Sequence, residues 1–240
     1  MKKSGFTLAE VLVTLGLIGV ITALTMPSFI ANTSEQQHAA KLAATYKVLQ
    51  DGFAAYMNAK DTDDLTTTDI WSNLDDKAVF YRELGPYIKM SPGGKLSDYY
   101  TYTGKSPFYQ LNGTSGGIFT NRDYVCQLKN GAYIFPYKMI SSMNKSDALA
   151  AGLSANATNG YIMVDVNGSQ PPNTFGRDVF QFDVMNDGSV EPAGEGSSVV
   201  EIVCGNEEGS SFCKALYKCN DENGLACTRQ LINNNYKFNY

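Results

Sequence analysis

Few side chains in this 240-residue chain are spaced for catalysis. Gly113-Thr114-Ser115-Gly116-Gly117 fits G-x-S-x-G, the turn that presents a serine nucleophile. That turn requires a strand before it and a helix after it, with the histidine partner later in the chain. Here Ile118-Phe119-Thr120 reads as a strand, and the single histidine, His38, lies upstream. The motif is therefore read as a glycine-rich loop. One histidine also excludes multi-histidine metal sites, and the five cysteines contain no C-x-x-C pair.

Oxygen donors offer a second chemistry. Asp165-Val166-Asn167-Gly168 alternates donors on a tight turn, and Asp178 adds a carboxylate, so Asp165, Asn167 and Asp178 are candidate calcium ligands. A full shell of roughly six to eight oxygens cannot be traced. The preferred reading is an Asx turn in which Arg177 or a backbone N–H satisfies Asp165, and no cofactor is expected. Among the cysteines, Cys204, Cys213, Cys219 and Cys227 crowd the last forty residues, and Cys126 stands apart. Structural disulfides are the expected use, with one thiol of the five left free or paired between chains.

The most informative carboxylate is Glu10. From Phe6 to Ile30 it is the only charge in 25 residues, and about 20 apolar residues suffice to span a bilayer. Lys2 and Lys3 precede the span, which keeps the N-terminus cytoplasmic and sends the remainder outward. A secretory signal would have a shorter apolar core and a small-residue cleavage site, which is missing around Ala23. A plain anchor gives no reason for Glu10, because a carboxylate in hydrocarbon costs on the order of 2.5–3.5 kcal/mol unless paired. No Lys or Arg lies in the span to pair with it. Cleavage after Gly5 would supply a free α-amino group on Phe6 at the same depth, either in the same chain or in a staggered neighbour.

Lys3-Ser4-Gly5-Phe6-Thr7-Leu8-Ala9-Glu10-Val11-Leu12-Val13 resembles the prepilin cleavage and methylation motif of type IV pilins and type II secretion pseudopilins. The resemblance covers about the first 30 residues: a short basic leader ending in Gly, then Phe, then Glu at the fifth mature position. It implies cleavage between Gly5 and Phe6 by a prepilin peptidase and N-methylation of Phe6. It further implies extraction into a helical filament with Glu10 setting register, and Pro27 at a place where the family often has a helix-loosening proline. The implied partners are other copies or related pilin subunits through the N-terminal helix, the peptidase and an inner-membrane assembly platform, with no nucleic acid. The implied location is the bacterial inner membrane as precursor, with the head outside the cytoplasm, then a periplasmic or surface filament. The alternative is a membrane-anchored exported adhesin, or an enzyme with an unrecognised site.

The elements that must position these residues follow from periodicity. Leu42, Tyr46, Leu49, Phe53 and Tyr56 are spaced 4, 3, 4 and 3, one apolar stripe on a helix that needs a surface to lie on. Pro27 weakens a helix, and Asn32-Thr33-Ser34 could loosen it or cap a second segment. Tyr124–Lys129 and Ala132–Tyr137 flank Asn130-Gly131, the favoured two-residue hairpin turn. Val179–Val184 and Val190 flank Asn186-Asp187-Gly188, while Tyr161–Val166 and Val199–Val203 read as further strands. A short helix is expected over Val79–Ile88, ending near Gly85-Pro86.

The expected fold is α+β and pilin-like. A long N-terminal helix, transmembrane in its first half, packs on an antiparallel sheet with a disulfide-rich tail. The expected divisions are a leader (1–5), a transmembrane and filament-core helix (6–30), an amphipathic continuation (31–60) and a β-rich head (61–240). Hydrophobic residues at 43% exclude disorder as the main state. Residues 61–240 hold 14 basic and 21 acidic side chains, a net of −7. Such an acidic head disfavours nucleic acid. A non-enzymatic filament subunit is the expected function.

Overall fold

The computed structural model describes residues 7–72, 77–100, 106–115, 124–137, 159–194, 219 and 224–238. The first element, α1, is one helix of 53 residues, Leu8–Lys60, with Pro27 inside it. Neither Pro27 nor Asn32-Thr33-Ser34 ends it. The chain divides into two compact units, 1–37 and 38–240.

In the first unit every described side chain from Leu8 to Ile30 is exposed. Leu8–Pro27 is long and apolar enough to cross a membrane by length and composition. Two of its threonines return their hydroxyls to the helix: Thr14 donates to the Val11 carbonyl and Thr25 to the Ile21 carbonyl, both at 2.9 Å. Internal satisfaction of polar groups is what a water-free surrounding demands.

In the second unit the stripe is buried as the spacing predicts. Leu42, Leu49, Phe53 and Tyr56 are fully inaccessible, and Tyr46 stacks on Phe182 with ring centroids 5.1 Å apart. Burying each such side chain contributes about 1.5–3 kcal/mol. After α1 come a 3₁₀ turn, Leu65–Thr67, and two helices, α2 (Asp69–Ser72) and α3 (Lys77–Ile88). Asp64 caps the 3₁₀ turn by accepting from Thr66 N at 2.9 Å. Helix α3 runs through Gly85-Pro86 instead of ending there.

The sheet is six-stranded and antiparallel in sequence order: β1 (Gly94–Lys95), β2 (Tyr124–Gln127), β3 (Tyr133–Tyr137), β4 (Asn159–Asp165), β5 (Val179–Met185) and β6 (Val190–Pro192). Two short helices complete the described elements, α4 (Leu96–Tyr99) and α5 (Cys227–Asn233). Register assigns the faces. Cys126 pairs with Ile134, Ile134 with Val164 and Val164 with Phe180, and all four belong to the core against α1. Alternate residues Val125, Phe135, Met163 and Val179 face the other way, into a second cluster with Leu96, Tyr100, Phe108 and Phe175. Both faces of the sheet are covered, so alternation here separates two interiors. The expected strand at Val199–Val203 lies outside the described residues.

The first hairpin differs from the two-residue expectation. Gly131 N donates to the Leu128 carbonyl at 3.0 Å and Leu128 N to the Ala132 carbonyl at 2.9 Å. Lys129 and Asn130 are therefore the turn centre, and Gly131 alone is left-handed, at φ 85°. Met185 to Ser189 repeats the arrangement, with Gly188 at φ 77°. This is the three-residue loop with a glycine bulge.

Close approach fixes α3 against α1, since a Cβ on Gly52 would coincide with Ile88 Cγ2. Overpacking costs about 1–3 kcal/mol, more than the about 0.5–1 kcal/mol that Gly→Ala returns to a helix. Gly52→Ala is therefore expected to lower the melting temperature of the full chain in detergent. Adding Ile88→Ala to Gly52→Ala is expected to leave the pair nearer additivity-breaking recovery than the sum of the two single losses.

Candidate assembly segment and buried acids of the head

Glu10 lies three residues into the start of α1. Thr7 N and Thr7 Oγ1 each donate to Glu10 Oε2 at 2.8 Å, and Glu10 N donates to Thr7 Oγ1 at 3.3 Å. This is a capping box, in which the first-turn carboxylate and the cap residue satisfy each other's orphan groups. It gives the carboxylate local donors where the span has no Lys or Arg. The signal Thr-x-x-Glu before an apolar run was available in the sequence, and reading Glu10 only through its charge missed Thr7. Pro27 lies exposed within the helix. Gly5 and Phe6, the expected processing residues, lie outside the described residues.

Comparison with known families decides what this N-terminus is. Residues 1–26 match the prokaryotic N-terminal methylation motif. It is the prepilin-type motif of type IV pilins and pseudopilins, and it is carried here by a chain with an apolar N-terminal helix, an antiparallel sheet and a C-terminal disulfide. Comparisons with curated proteins and with solved structures return no match. The motif is one of structural subunits that prepilin peptidases process and that remain membrane-anchored as precursors.

The cysteines separate into two environments. Cys219 and Cys227 form a disulfide, Cα atoms 4.4 Å apart, which ties the chain to the start of α5. Closing so short a loop contributes about 2–3 kcal/mol. Cys126, a disulfide candidate on sequence, is instead a free thiol buried in the core against α1. Burial pushes it up to about 12, because a thiolate there would have no solvent. Cys204 and Cys213 lie outside the described residues.

Asp165, Asn167 and Asp178 are brought together, with hydrogen-bond donors on their oxygens. Tyr100 O–H donates to Asp165 Oδ2 at 2.8 Å, and Asn167 N donates to Asp165 Oδ1 at 3.1 Å, the Asx turn. Thr174 N donates to Asp178 Oδ1 at 2.5 Å, and Asn173 N to Oδ2 at 2.9 Å. Asn167 turns its amide nitrogen to Asp178 Oδ2, 3.1 Å, presenting a donor where a cation needs an acceptor. Among the described residues no group of three acid, histidine or cysteine side chains could hold a metal. Burial raises Asp165 well above the usual carboxylate range, reinforced by the nearby Asp178. Asp178 rises to about 6, burial again outweighing its donors. Of the tyrosines, Tyr100 is buried over this pair, Tyr99 packs edge-on against Tyr133, and Tyr109 is exposed; Tyr102 lies outside the described residues.

Asp183 has no sequence signal of its own. It lies on β5 with 1% exposure. Oδ1 accepts from Gln181 Nε2 at 3.1 Å, and Oδ2 has no partner. Its cross-strand neighbour is Glu191, which Arg229 of α5 holds at 3.3 Å. Burial raises Asp183 to about 7. An acid whose folded value lies above its unfolded value of about 3.9 favours folding fully only below that unfolded value. Its contribution is lost progressively between about pH 4 and 7. Asp183→Asn is expected to shrink the difference in melting temperature between pH 5 and pH 8, by raising the pH 8 value. An unchanged difference would assign the pH response to Asp165 and Asp178. For Cys126, native alkylation of the full chain is expected to leave its peptide unmodified, and labelling in denaturant to modify it fully.

Proposed function

We propose that this chain is a structural subunit of a type IV pilus-like or type II secretion pseudopilus filament, made as a precursor and cut between Gly5 and Phe6. Phe6 becomes the N-methylated terminus, and the head lies outside the cytoplasm in a periplasmic or cell-surface filament. The carrying observation is the methylation motif at residues 1–26 on a helix whose apolar half, Leu8–Pro27, is long and apolar enough to cross a membrane and exposed. A helix apolar on all sides must be surrounded by lipid or by other such helices. The same segment serves as anchor first and as filament core afterwards.

Glu10 has a role in that transfer. In the precursor its Oε2 accepts from Thr7 N and Thr7 Oγ1, which lowers the cost of holding a carboxylate in an apolar layer. In the filament the Phe6 ammonium of a neighbour offers a charged donor, and charge-assisted hydrogen bonds are roughly twice as strong as neutral ones. Exchange of a local partner for a neighbour's amine favours one stagger between helices. The partners implied are other pilin subunits, a prepilin peptidase and a membrane assembly platform.

Intact-mass and N-terminal peptide mass spectrometry on the protein from its native membrane are expected to find a chain beginning at N-methylated Phe6. A chain beginning at Met1, or between residues 23 and 28, would overturn the reading. Glu10→Ala is expected to leave membrane insertion intact and to reduce recovered filament at least tenfold.

A further inference from the structure

A groove in the head is lined by two lysines that have no ion-pair partner among the described residues. Beside β2, Met90 bridges Leu128 in antiparallel register, and Ser91 N donates to the Gln127 carbonyl at 2.8 Å. One residue beyond that bridge on either side are Lys89 and Lys129. Both line a groove of about 310 Å³ with Met90, Ser91, Gln127 and Gly131. Both lysines are exposed, and among the described residues neither has an ion-pair partner. Like charges lining one groove repel. Lys89 also sits at φ 54° just past α3, the left-handed position that glycine usually fills. The helix dipole favours one cation there, and it gives no reason for the second. In a domain with a net charge of −7, two exposed lysines lining one groove suit a carboxylate ligand.

The chain carries matching carboxylates elsewhere. Asp61 ends α1 at φ 50°, its N–H on the Asn58 carbonyl at 3.2 Å. An anion at a helix C-terminus is disfavoured by the dipole. Asp63 follows two residues later. Both are exposed, and among the described residues neither is ion-paired.

A single chain does not close this contact on itself. Lys60 Nζ meets Glu83 Oε2 at 2.8 Å, and Ile88 packs on Gly52, so α3 runs back along α1. The hairpin tip that carries Lys129 rests farther back still, with Asn130 Nδ2 donating to Thr45 Oγ1 at 2.9 Å. Between Thr45 and Asp61 the helix rises about 24 Å, far beyond a lysine's reach. A second copy displaced along the helix axis spans that offset. Such a contact joins two different patches, and head-to-tail contacts that do not close propagate into open helical assemblies.

We propose that the Lys89–Lys129 groove receives the Asp61–Asp63 turn of a second copy of this chain. The proposal rests on the filament reading above and names the surfaces that would set the heads' order within it. Polymer recovered from cells is treated with a zero-length carbodiimide, and the crosslinked dimer is mapped by peptide mass spectrometry. The expected result is Lys89 or Lys129 joined to Asp61 or Asp63. In parallel, Lys89→Glu with Lys129→Glu, and separately Asp61→Lys with Asp63→Lys, are each expected to lower recovered polymer about tenfold or more. All four changes together are expected to restore at least half of it. Polymer whose dimer crosslinks map only elsewhere would overturn the contact and leave the filament reading standing, as would charge-reversed chains that assemble at the unaltered level. A wild-type chain that starts at Phe6 yet gives neither polymer nor crosslinked dimer would overturn both. The crosslink map uses the unaltered protein, so it decides the matter even where a reversed chain fails to fold.

Discussion

One helix has to satisfy two surroundings. Its second half is held by a single stripe, Leu42, Leu49, Phe53 and Tyr56, sealed against the sheet. Its first half has no such seam and is apolar all round. The sheet therefore has to present an apolar face of matching length, which the row Cys126, Ile134, Val164 and Phe180 supplies. Gly52 then lets α3 come close enough to cover the flank. The rest of the head is what is needed to keep that face dry and its own second face covered.

The same division governs polar groups. In the apolar half Thr14, Thr25 and Glu10 find their partners within a turn of helix: the threonines on carbonyls, Glu10 on Thr7. In the head, polar groups reach across long stretches of sequence, as Tyr100 does to Asp165 and Asn130 to Thr45. Local satisfaction lets a segment move between lipid and other helices without leaving broken bonds behind. Long-range satisfaction fixes one tertiary arrangement and suits a domain that keeps its shape.

That contrast also explains what the residues revealed in advance. The stripe on α1, the two hairpins and the isolated Glu10 were legible because each depends on spacing within a few residues. The hairpin loop class was not, since Asn-Gly marks both a two-residue turn and a type I turn closed by a glycine bulge; strand pairing at Leu128 and Ala132 chose the second. Pro86 inside α3 reads locally as a stop, yet packing of Ile88 on Gly52 carries the helix past it. Asp183 alternates with Phe180, Phe182 and Val184 as an outward-facing strand residue should, and only the covering of the second face turns outward into interior. The oxygens of Asp165 and Asp178 look open to a cation until Tyr100 arrives from a distant part of the chain and the turn before Asp178 aims the backbone N–H groups of Asn173 and Thr174 at it.

The three interior aspartates change the electrical identity of the molecule. Counting side chains gives a net charge of −5 at pH 7. Asp165 sits well above the usual carboxylate range, Asp183 near 7 and Asp178 near 6. Burial thus makes the folded chain hold protons on these carboxyls more tightly than the unfolded chain does. Subunits crowded side by side repel one another through the charge they carry, not the charge they are counted with. In the proposed filament, burying these carboxyls would ease the packing of many acidic copies into a small volume.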